Sequence, residues 1–259
     1  MHTIQPGDDV QDAVNTHSNI TFANGKHYVD PPVIVSKNHV VIKFDLKAWL
    51  VASDFARDFH DMSTRVTASS SSGDMIRITG NHCVVTRPHI NGMGKVGHGI
   101  TSACEYLTVY DATVRNCTLK GARVSHGGKR PVYIAFRGLN VGVHPNSPTP
   151  SDELCSGFLC DPGSKVAHTV VITDLVVGEL AGGLPGRYPL IAKFACADHI
   201  IADGMTCDHK NYRVVFAENL KRVELSNGAW IRADYYPHPK NGPAQDFDLI
   251  YRGLKDPRG

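Results

Sequence analysis

The densest group of chemically active side chains lies in the segment "DGMTCDHKNYR" at 203–213. Proton removal next to a carboxylate needs a base such as His, Lys, Arg or Tyr and a cation that neutralises the carboxylate. This segment supplies all of these residue types, although a solvated turn has the same composition and stays open as the alternative. The candidate catalytic residues are Asp203, Asp208, His209, Lys210 and Arg213.

A second, basic group follows from the segment "RNCTLKGARVSHGGKR", and two adjacent tyrosines lie near the end of the chain. Positive side chains of this kind bind an acidic glycan or the carboxylates of a protein partner, and a solvated face is the alternative. The candidate binding residues are Arg115, His126, Lys129, Arg130, Tyr235 and Tyr236.

The histidines and cysteines do not have the spacing of a metal site. Fourteen histidines are scattered without a His-x-His or His-x-x-x-His pair, and seven cysteines are irregularly spaced. Cys155 and Cys160 form a bridge, stay reduced, or bind zinc with His144 and His168; the reduced pair is favoured. The sequence therefore predicts no metal and no cofactor.

Composition excludes several classes of protein. With 27 Lys+Arg against 25 Asp+Glu the net charge is only +2, which argues against nucleic-acid binding. A hydrophobic fraction of 42% is enough for a sizeable core. No apolar run approaches the roughly 20 residues that cross a bilayer, and residues 1–20 lack the apolar centre of a secretion signal. We expect no membrane insertion and no signal-dependent export.

The elements that must position these side chains are short strands. The pattern apolar, any, apolar, four residues, apolar occurs six times, at intervals of 23 to 36 residues. This repeat predicts a parallel β-solenoid, whereas an antiparallel sandwich would place Asn-Gly or Asp-Gly turns between paired strands. His82, His168 and His199 lie near the start of these units and predict a stacked ladder. The units begin at Cys83, Leu107, Ile134, Val170, Ile200 and Val223.

The N-terminal segment "IQPGDDVQDAVNTHSNITFANGKHYVDPPVIVSKNHVVIKF" has the features of a solenoid cap. Val10, Ala13 and Val14 would form the buried face of a short helix, with Asp8 and Asp9 at its positive N-terminus. A second short helix is predicted around residues 53–63. Such a cap protects the first strand edge from aggregation.

This opening, and later units such as "NHCVVTRPHING" and "ADHIIADGMTCDH", resemble right-handed parallel β-helix proteins of the pectin-lyase-like superfamily. The resemblance implies an all-β fold with an N-terminal capping helix. We predict one β-helix domain over residues 1–232, followed by a tail at 233–259 that caps the solenoid or contacts another subunit.

The superfamily contains pectate lyases, polygalacturonases, alginate epimerases and virion proteins, but the catalytic strings of these enzymes are absent. Gly97-His98-Gly99 has no Asp-Asp pair one coil before it, and Asp161-Pro162 lacks the following His. The resemblance then favours a non-enzymatic bacteriophage virion protein, either capsid-decorating or tail-associated. Its loops at 142–166 and 178–198 would face outward.

Two functions stay open at this stage. The virion interpretation predicts a trimer, made in the host cytoplasm, that contacts neighbouring virion proteins and surface glycans. The alternative is a polysaccharide lyase, hydrolase or epimerase that acts on an acidic glycan and is cytoplasmic or exported by another route.

Overall fold

The computed structural model describes residues 1–53, 73–117, 119–143, 156–178, 190–207, 213–216, 219–228, 234–237 and 248–252. These residues form one short helix and a series of strands. The elements are β1 His2–Ile4, α1 Val10–Thr16, β2 Asn19–Phe22, β3 Gly25–Val29, β4 Val33–Val35, β5 Val41–Phe44, β6 Ala48–Ala52, β7 Asp74–Ile78, β8 Cys83–Thr86, β9 His89–Asn91, β10 His98–Ser102, β11 Tyr106–Cys117, β12 Lys120–Val124, β13 Tyr133–Val143, β14 Ser156–Cys160, β15 Ala167–Val177, β16 Leu190–Phe194, β17 Ala197–Cys207, β18 Arg213–Phe216, β19 Leu220–Ser226, β20 Asp234–Pro237 and β21 Asp248–Arg252.

The strands stack in parallel, each on the strand one coil before it, so the fold is an all-β parallel β-helix. We define three faces. Face one contains β1, β2, β5, β8, the first halves of β11, β13, β15 and β17, and then β19 and β21. Face two contains β3, β6, β9 and the second halves of the same long strands. Face three contains β4, β7, β10, β12, β14, β16, β18 and β20.

The repeat predicted from the sequence is the ladder of face one. Strand pairing aligns the first apolar residue of all six units, from Cys83 through Leu107 to Val223. The second apolar residue of each unit is aligned in the same way, and both sets are buried. Stacked inward side chains exclude water from the interior along the whole series, which is the main stabilising contribution.

A residue in the left-handed region makes the corner between faces one and two in six successive coils. Asp111 has a φ of 52° and Asp174 a φ of 51°, and the coils between and after them place Gly138 and Gly204 at this corner. Asp and Gly tolerate this conformation better than other residues. The corner therefore repeats through backbone geometry although its residue type varies.

Helix α1 packs beside the first coil. Val10, Ala13 and Val14 are buried in the common core, as predicted, and the Asp9 side chain accepts a hydrogen bond from the Asp12 amide at 2.9 Å. A carboxylate in this position satisfies an otherwise unpaired amide of the first turn. The second predicted helix, at 53–63, lies almost wholly outside the described residues.

The predicted ladder of histidines is wrong. Strand pairing aligns His199 with Thr169, so His168 lies one position earlier in its coil. His82 stacks instead between His39 and Tyr106, with ring centroids 5.1 and 4.3 Å apart, and His199 binds Glu224 at 2.9 Å. The offset of one residue is visible only in the strand register.

Two strands of the predicted tail continue the solenoid: β20 pairs with β18, and β21 pairs with β19. The domain boundary at residue 232 stays a prediction. No helix in the described ranges is long and apolar enough to cross a bilayer.

Candidate functional site

Face three carries a second repeat, in which a polar residue is followed by glycine, an apolar residue and another polar position. It reads His98-Gly99-Ile100-Thr101 in β10 and Lys120-Gly121-Ala122-Arg123 in β12. Pairing with β7 aligns these residues in two rows that cross three coils. The first row is Asp74, His98 and Lys120, and the second is Arg77, Thr101 and Arg123.

The two rows lie outside the apolar core, and five of their six residues are buried, whereas Arg77 is partly exposed. Ile76, Ile100 and Ala122 sit between the rows and belong to the core, so the neighbouring side chains of the second row point away from it. Asp74 is 0% exposed, His98 and Lys120 are 2% exposed and Arg123 is 5% exposed. Charged side chains are rarely buried to this degree unless they are paired or functional.

Asp74 is the centre of the hydrogen bonds within this group. Its Oδ1 accepts from Thr101 Oγ1 at 2.7 Å and lies 3.0 Å from His98 Nδ1, while its Oδ2 binds Arg77 Nη1 at 3.1 Å. Burial alone would raise the pKa of Asp74, but the hydrogen bond from His98 and the nearby positive charge of Arg123 lower it below the ordinary value. The carboxyl group is therefore ionised at neutral pH.

His98 is held as a neutral imidazole with a defined tautomer. Burial lowers its pKa to about 4, and the charges of Arg123 and Lys120 act in the same direction while Asp74 opposes them. Because ionised Asp74 only accepts hydrogen bonds, Nδ1 carries the proton and donates it to Asp74. The lone pair is then on Nε2, which is buried and makes no hydrogen bond with any described residue.

This arrangement has the chemistry of a general base. An imidazole whose Nδ1 is fixed by a carboxylate presents the lone pair of Nε2 in one orientation. A buried polar atom without a partner costs about 1–3 kcal/mol and calls for a functional explanation. Lys120 and Arg123 add positive charge within electrostatic range of His98, which would favour a negatively charged reactant. We call the six residues of the two rows the Asp74–His98 cluster: Asp74, His98, Lys120, Arg77, Thr101 and Arg123.

Of the catalytic candidates predicted from 203–213, the structure describes two, and it places them on different faces. Asp203 lies in β17 on face one, where its Oδ1 accepts from Ser226 Oγ and Asn227 Nδ2, both at 2.8 Å, one coil further on. These bonds support the corner that begins at Gly204. Arg213 begins β18 on face three, and Asp208, His209 and Lys210 lie outside the described residues.

The binding candidates also lie at different places. Arg115 is in the second half of β11, opposite Asn91, on face two. His126, Lys129 and Arg130 lie in the turn between β12 and β13, where His126 Nδ1 accepts from the Gly128 amide at 2.9 Å. Tyr235 and Tyr236 are in β20, but their side chains are outside the described part of the structure.

The described cysteines include four buried thiols that are unsuited to reaction. Burial raises the pKa of Cys104 to about 11 and that of Cys117 to about 12, and it also raises the pKa of Cys83 and Cys160. Cys155 lies outside the described residues. Within the described ranges, no group of three or more His, Cys, Asp or Glu side chains could hold a metal ion.

Comparison with known proteins adds little beyond the fold. No protein-family model and no curated protein matches the chain. Among solved structures, the chain is similar to the crystal structure of YbhC from Escherichia coli, with 10% sequence identity, coverage of 96% of this chain and 83% of that chain, and a TM-score of 0.47. A likeness at this level says nothing about activity. The fold rests on the strand pairing, and the site rests on its own geometry.

Proposed function

We propose that the protein is an enzyme that removes a proton next to a carboxylate in an acidic glycan, with His98 as the base. The supporting observation is the buried His98, whose Nδ1 binds ionised Asp74 and whose Nε2 has no partner among the described residues. Lys120 and Arg123 supply the positive charge that such a substrate needs. The sequence left a lyase or epimerase open as the alternative function. We now assign that function to residues of face three and not to residues 203–213.

The reaction uses the cluster in one step. The proton on the carbon next to the carboxylate passes to Nε2, and the electron pair it leaves is delocalised into the carboxylate. The positive charges of Lys120 and Arg123 stabilise the charge that develops there. In elimination the electron pair then forms a carbon–carbon double bond as the glycosidic oxygen leaves and takes up a proton from water. In epimerisation a proton from water adds to the opposite side of the same carbon. In both reactions Nε2 then releases the abstracted proton to water.

Hydrolysis is less well supported. Glycoside hydrolysis ordinarily uses two carboxyl groups on opposite sides of the scissile bond. Among the described residues, the cluster has one carboxyl group, that of Asp74, and three hydrogen bonds or ion pairs already occupy its oxygens. Asp74 is therefore suited to orient His98 rather than to attack a sugar.

Access to the base sets a requirement on this function. His98, Lys120 and Arg123 are all at most 5% exposed. A glycan therefore reaches Nε2 only after this part of the structure opens. Burial has a compensating effect, since electrostatic interactions with a reactant are stronger when water is excluded. We therefore expect slow substrate entry relative to the chemical step.

The experiment is a turnover assay on a panel of acidic polysaccharides with wild-type protein and Asp74→Asn. Ultraviolet absorption detects the unsaturated uronate of a lyase, and nuclear magnetic resonance of the glycan detects epimerisation. Asp74→Asn favours the wrong tautomer of His98, so we expect a loss of about 100-fold or more in turnover. Asp12→Asn, on the exposed side of α1, is the matched control and should keep full turnover.

Two results would overturn this function. One is no product from any glycan with folded wild-type protein. The other is an Asp74→Asn protein that remains folded by circular dichroism and turns over at the wild-type rate.

The virion interpretation is the competing hypothesis, and exposed apolar side chains in the first coils favour it. Leu46 is 71% exposed and Tyr28 is 61% exposed, as expected of a surface that contacts another subunit. It predicts a trimer in solution without turnover, whose mass falls to that of a monomer when Leu46 is changed to Asp. A monomer with turnover would exclude it.

A further inference from the structure

An open groove of about 530 Å³ crosses four consecutive coils on the corner between faces three and one. Arg130 lies between β12 and β13, Lys165 between β14 and β15, Asp198 in β17 and Lys221 in β19. The coils are about 4.8 Å apart, so these side chains form a line along the solenoid axis. No residue of the Asp74–His98 cluster lines the groove, so the groove is a separate site.

The groove has more positive than negative charge. Among the described residues that line it, Asp198 is the one acidic side chain, and its two oxygens are both occupied: Arg130 Nη2 binds Oδ2 at 2.7 Å, and Lys221 Nζ binds Oδ1 at 2.7 Å. Lys165 makes no side-chain hydrogen bond or ion pair with any described residue. Two cations therefore share this carboxylate, and Lys165 is a third cation that does not bind it.

The cations remain able to bind a ligand. Arg130 is 52% exposed and Lys221 is 74% exposed, while Asp198 between them is only 20% exposed. Arg130 also donates from Nε to the Val166 carbonyl at 2.8 Å, which fixes the plane of the guanidinium. Its Nη1 has no hydrogen-bond partner within the described ranges and is available to an anionic oxygen.

Asp198 acts as an internal counter-ion. Burial would raise its pKa, but the hydrogen bond and charge of Lys221 and the charge of Arg130 lower it. It therefore stays ionised and holds both cations in place at neutral pH. An incoming anion competes with this carboxylate for the same donors, so removing its charge should tighten anion binding.

We propose that this groove binds the carboxylate or sulfate groups of an extended anionic glycan through Arg130, Lys165 and Lys221. The groove is open along its length and crosses several coils, which suits a chain better than a small enclosed anion. The three cations of the groove are interrupted by Asp198, whereas a nucleic acid usually requires a broad basic surface. The inference does not depend on catalysis by His98.

Isothermal titration calorimetry tests the inference with four probes: polygalacturonate, dextran sulfate, inorganic phosphate and a single-stranded oligonucleotide. Using both wild-type protein and His98→Ala separates binding from turnover. We expect Lys165→Gln and Arg130→Gln each to weaken glycan binding about three- to fivefold at low salt, and Asp198→Asn to strengthen it. Lys26→Gln, an exposed lysine on β3, is the matched control and should have no effect.

Each outcome bears on a different part of the inference. Carboxylated or sulfated polymer binding with these effects supports it, and the preferred polymer identifies the anionic group. If the wild type, Lys165→Gln and Asp198→Asn bind the glycan with equal affinity, the groove is not the binding site. Binding of the oligonucleotide alone would contradict the assignment of a glycan as the ligand. Binding of phosphate as strongly as either polymer would contradict it as well. Glycan binding that persists in His98→Ala without turnover in the wild type would support the groove while contradicting the proposed function.

Discussion

At the scale of the residue, His98 combines deep burial with an Nε2 lone pair that no described residue occupies. Asp74 fixes the tautomer, because its ionised carboxyl group accepts the Nδ1 proton. Burial, together with the charges of Arg123 and Lys120, keeps a second proton off the ring at neutral pH. His27 is also buried with one ring nitrogen unpartnered, so the ionised Asp74 and the two neighbouring cations are what distinguish His98.

The titration of His98 should appear in the pH dependence of stability. Its folded-state pKa is about 4, against an ordinary value of 6.5. Between these values the unfolded chain binds a proton that the folded chain does not, so the free energy of unfolding falls as the pH drops. We expect His98 to contribute about 2 kcal/mol of this loss between pH 7 and pH 5.

Urea unfolding of wild type and His98→Gln at pH 7 and pH 5 measures this contribution. The variant keeps a neutral side chain, and its other histidines titrate as in the wild type. The loss of stability between the two pH values should therefore be about 2 kcal/mol smaller in His98→Gln. Equal losses in both proteins would show that His98 titrates normally.

The sequence contains a signal for this cluster that the face-one repeat does not include. Each face-one unit opens with an apolar residue, any residue and a second apolar residue, and that pattern identified strands whose side chains point inward. The cluster lies on face three, in the repeat that includes His98-Gly99 and Lys120-Gly121. Gly97-His98-Gly99 attracts notice only as an incomplete enzyme motif. Asp74 and His98 are 24 residues apart, and only strand register brings them together.

At the scale of the element, glycines next to the cluster allow face three to approach face two. A Cβ on Gly121 would lie 2.5 Å from both methyl groups of Val141 and 2.7 Å from the Gly157 carbonyl oxygen. A Cβ on Gly99 would lie 2.3 Å from Val114 Cγ1. These positions tolerate no side chain, so the glycines that flank His98 and Lys120 set the depth at which the cluster is held.

Gly121→Ala should therefore destabilise the protein by about 1–3 kcal/mol, because the valine and the next coil must move. Gly142→Ala is the matched control: it also lies in a strand, and its added Cβ would meet nothing within 4 Å. We expect Gly142→Ala to change stability by less than about 0.5 kcal/mol. Thermal unfolding of both variants measures the difference, and equal effects would contradict this role of Gly121.

At the scale of the whole molecule, the sequence predicts the solenoid because a solenoid repeats. Each coil presents the same pattern to the same ladder, so six imperfect matches reinforce one another, and the capping helix follows from ordinary amphipathic spacing. The site has no such redundancy. Candidate residues at 203–213 are close in the chain, but Asp203 and Arg213 belong to different faces. Chain proximity is a poor guide to side-chain proximity when each coil takes more than 20 residues to return to the same face.

The near balance of charge also has a different meaning at this scale. A net charge of +2 argued against nucleic-acid binding, yet positive side chains are concentrated at two places, around His98 and in the groove at Arg130. Local charge, not net charge, decides what such sites bind. No described residue lines both places, so each can be tested separately by substitution.

The most direct test of His98 as the base is the initial rate at which His98→Ala forms product from the preferred acidic glycan. We expect a rate at least about 100-fold below that of the wild type, because the base is lost while the fold remains. His17→Ala, at the end of α1, should retain the wild-type rate. A folded His98→Ala protein that retains the wild-type rate would contradict the assignment of His98 as the base.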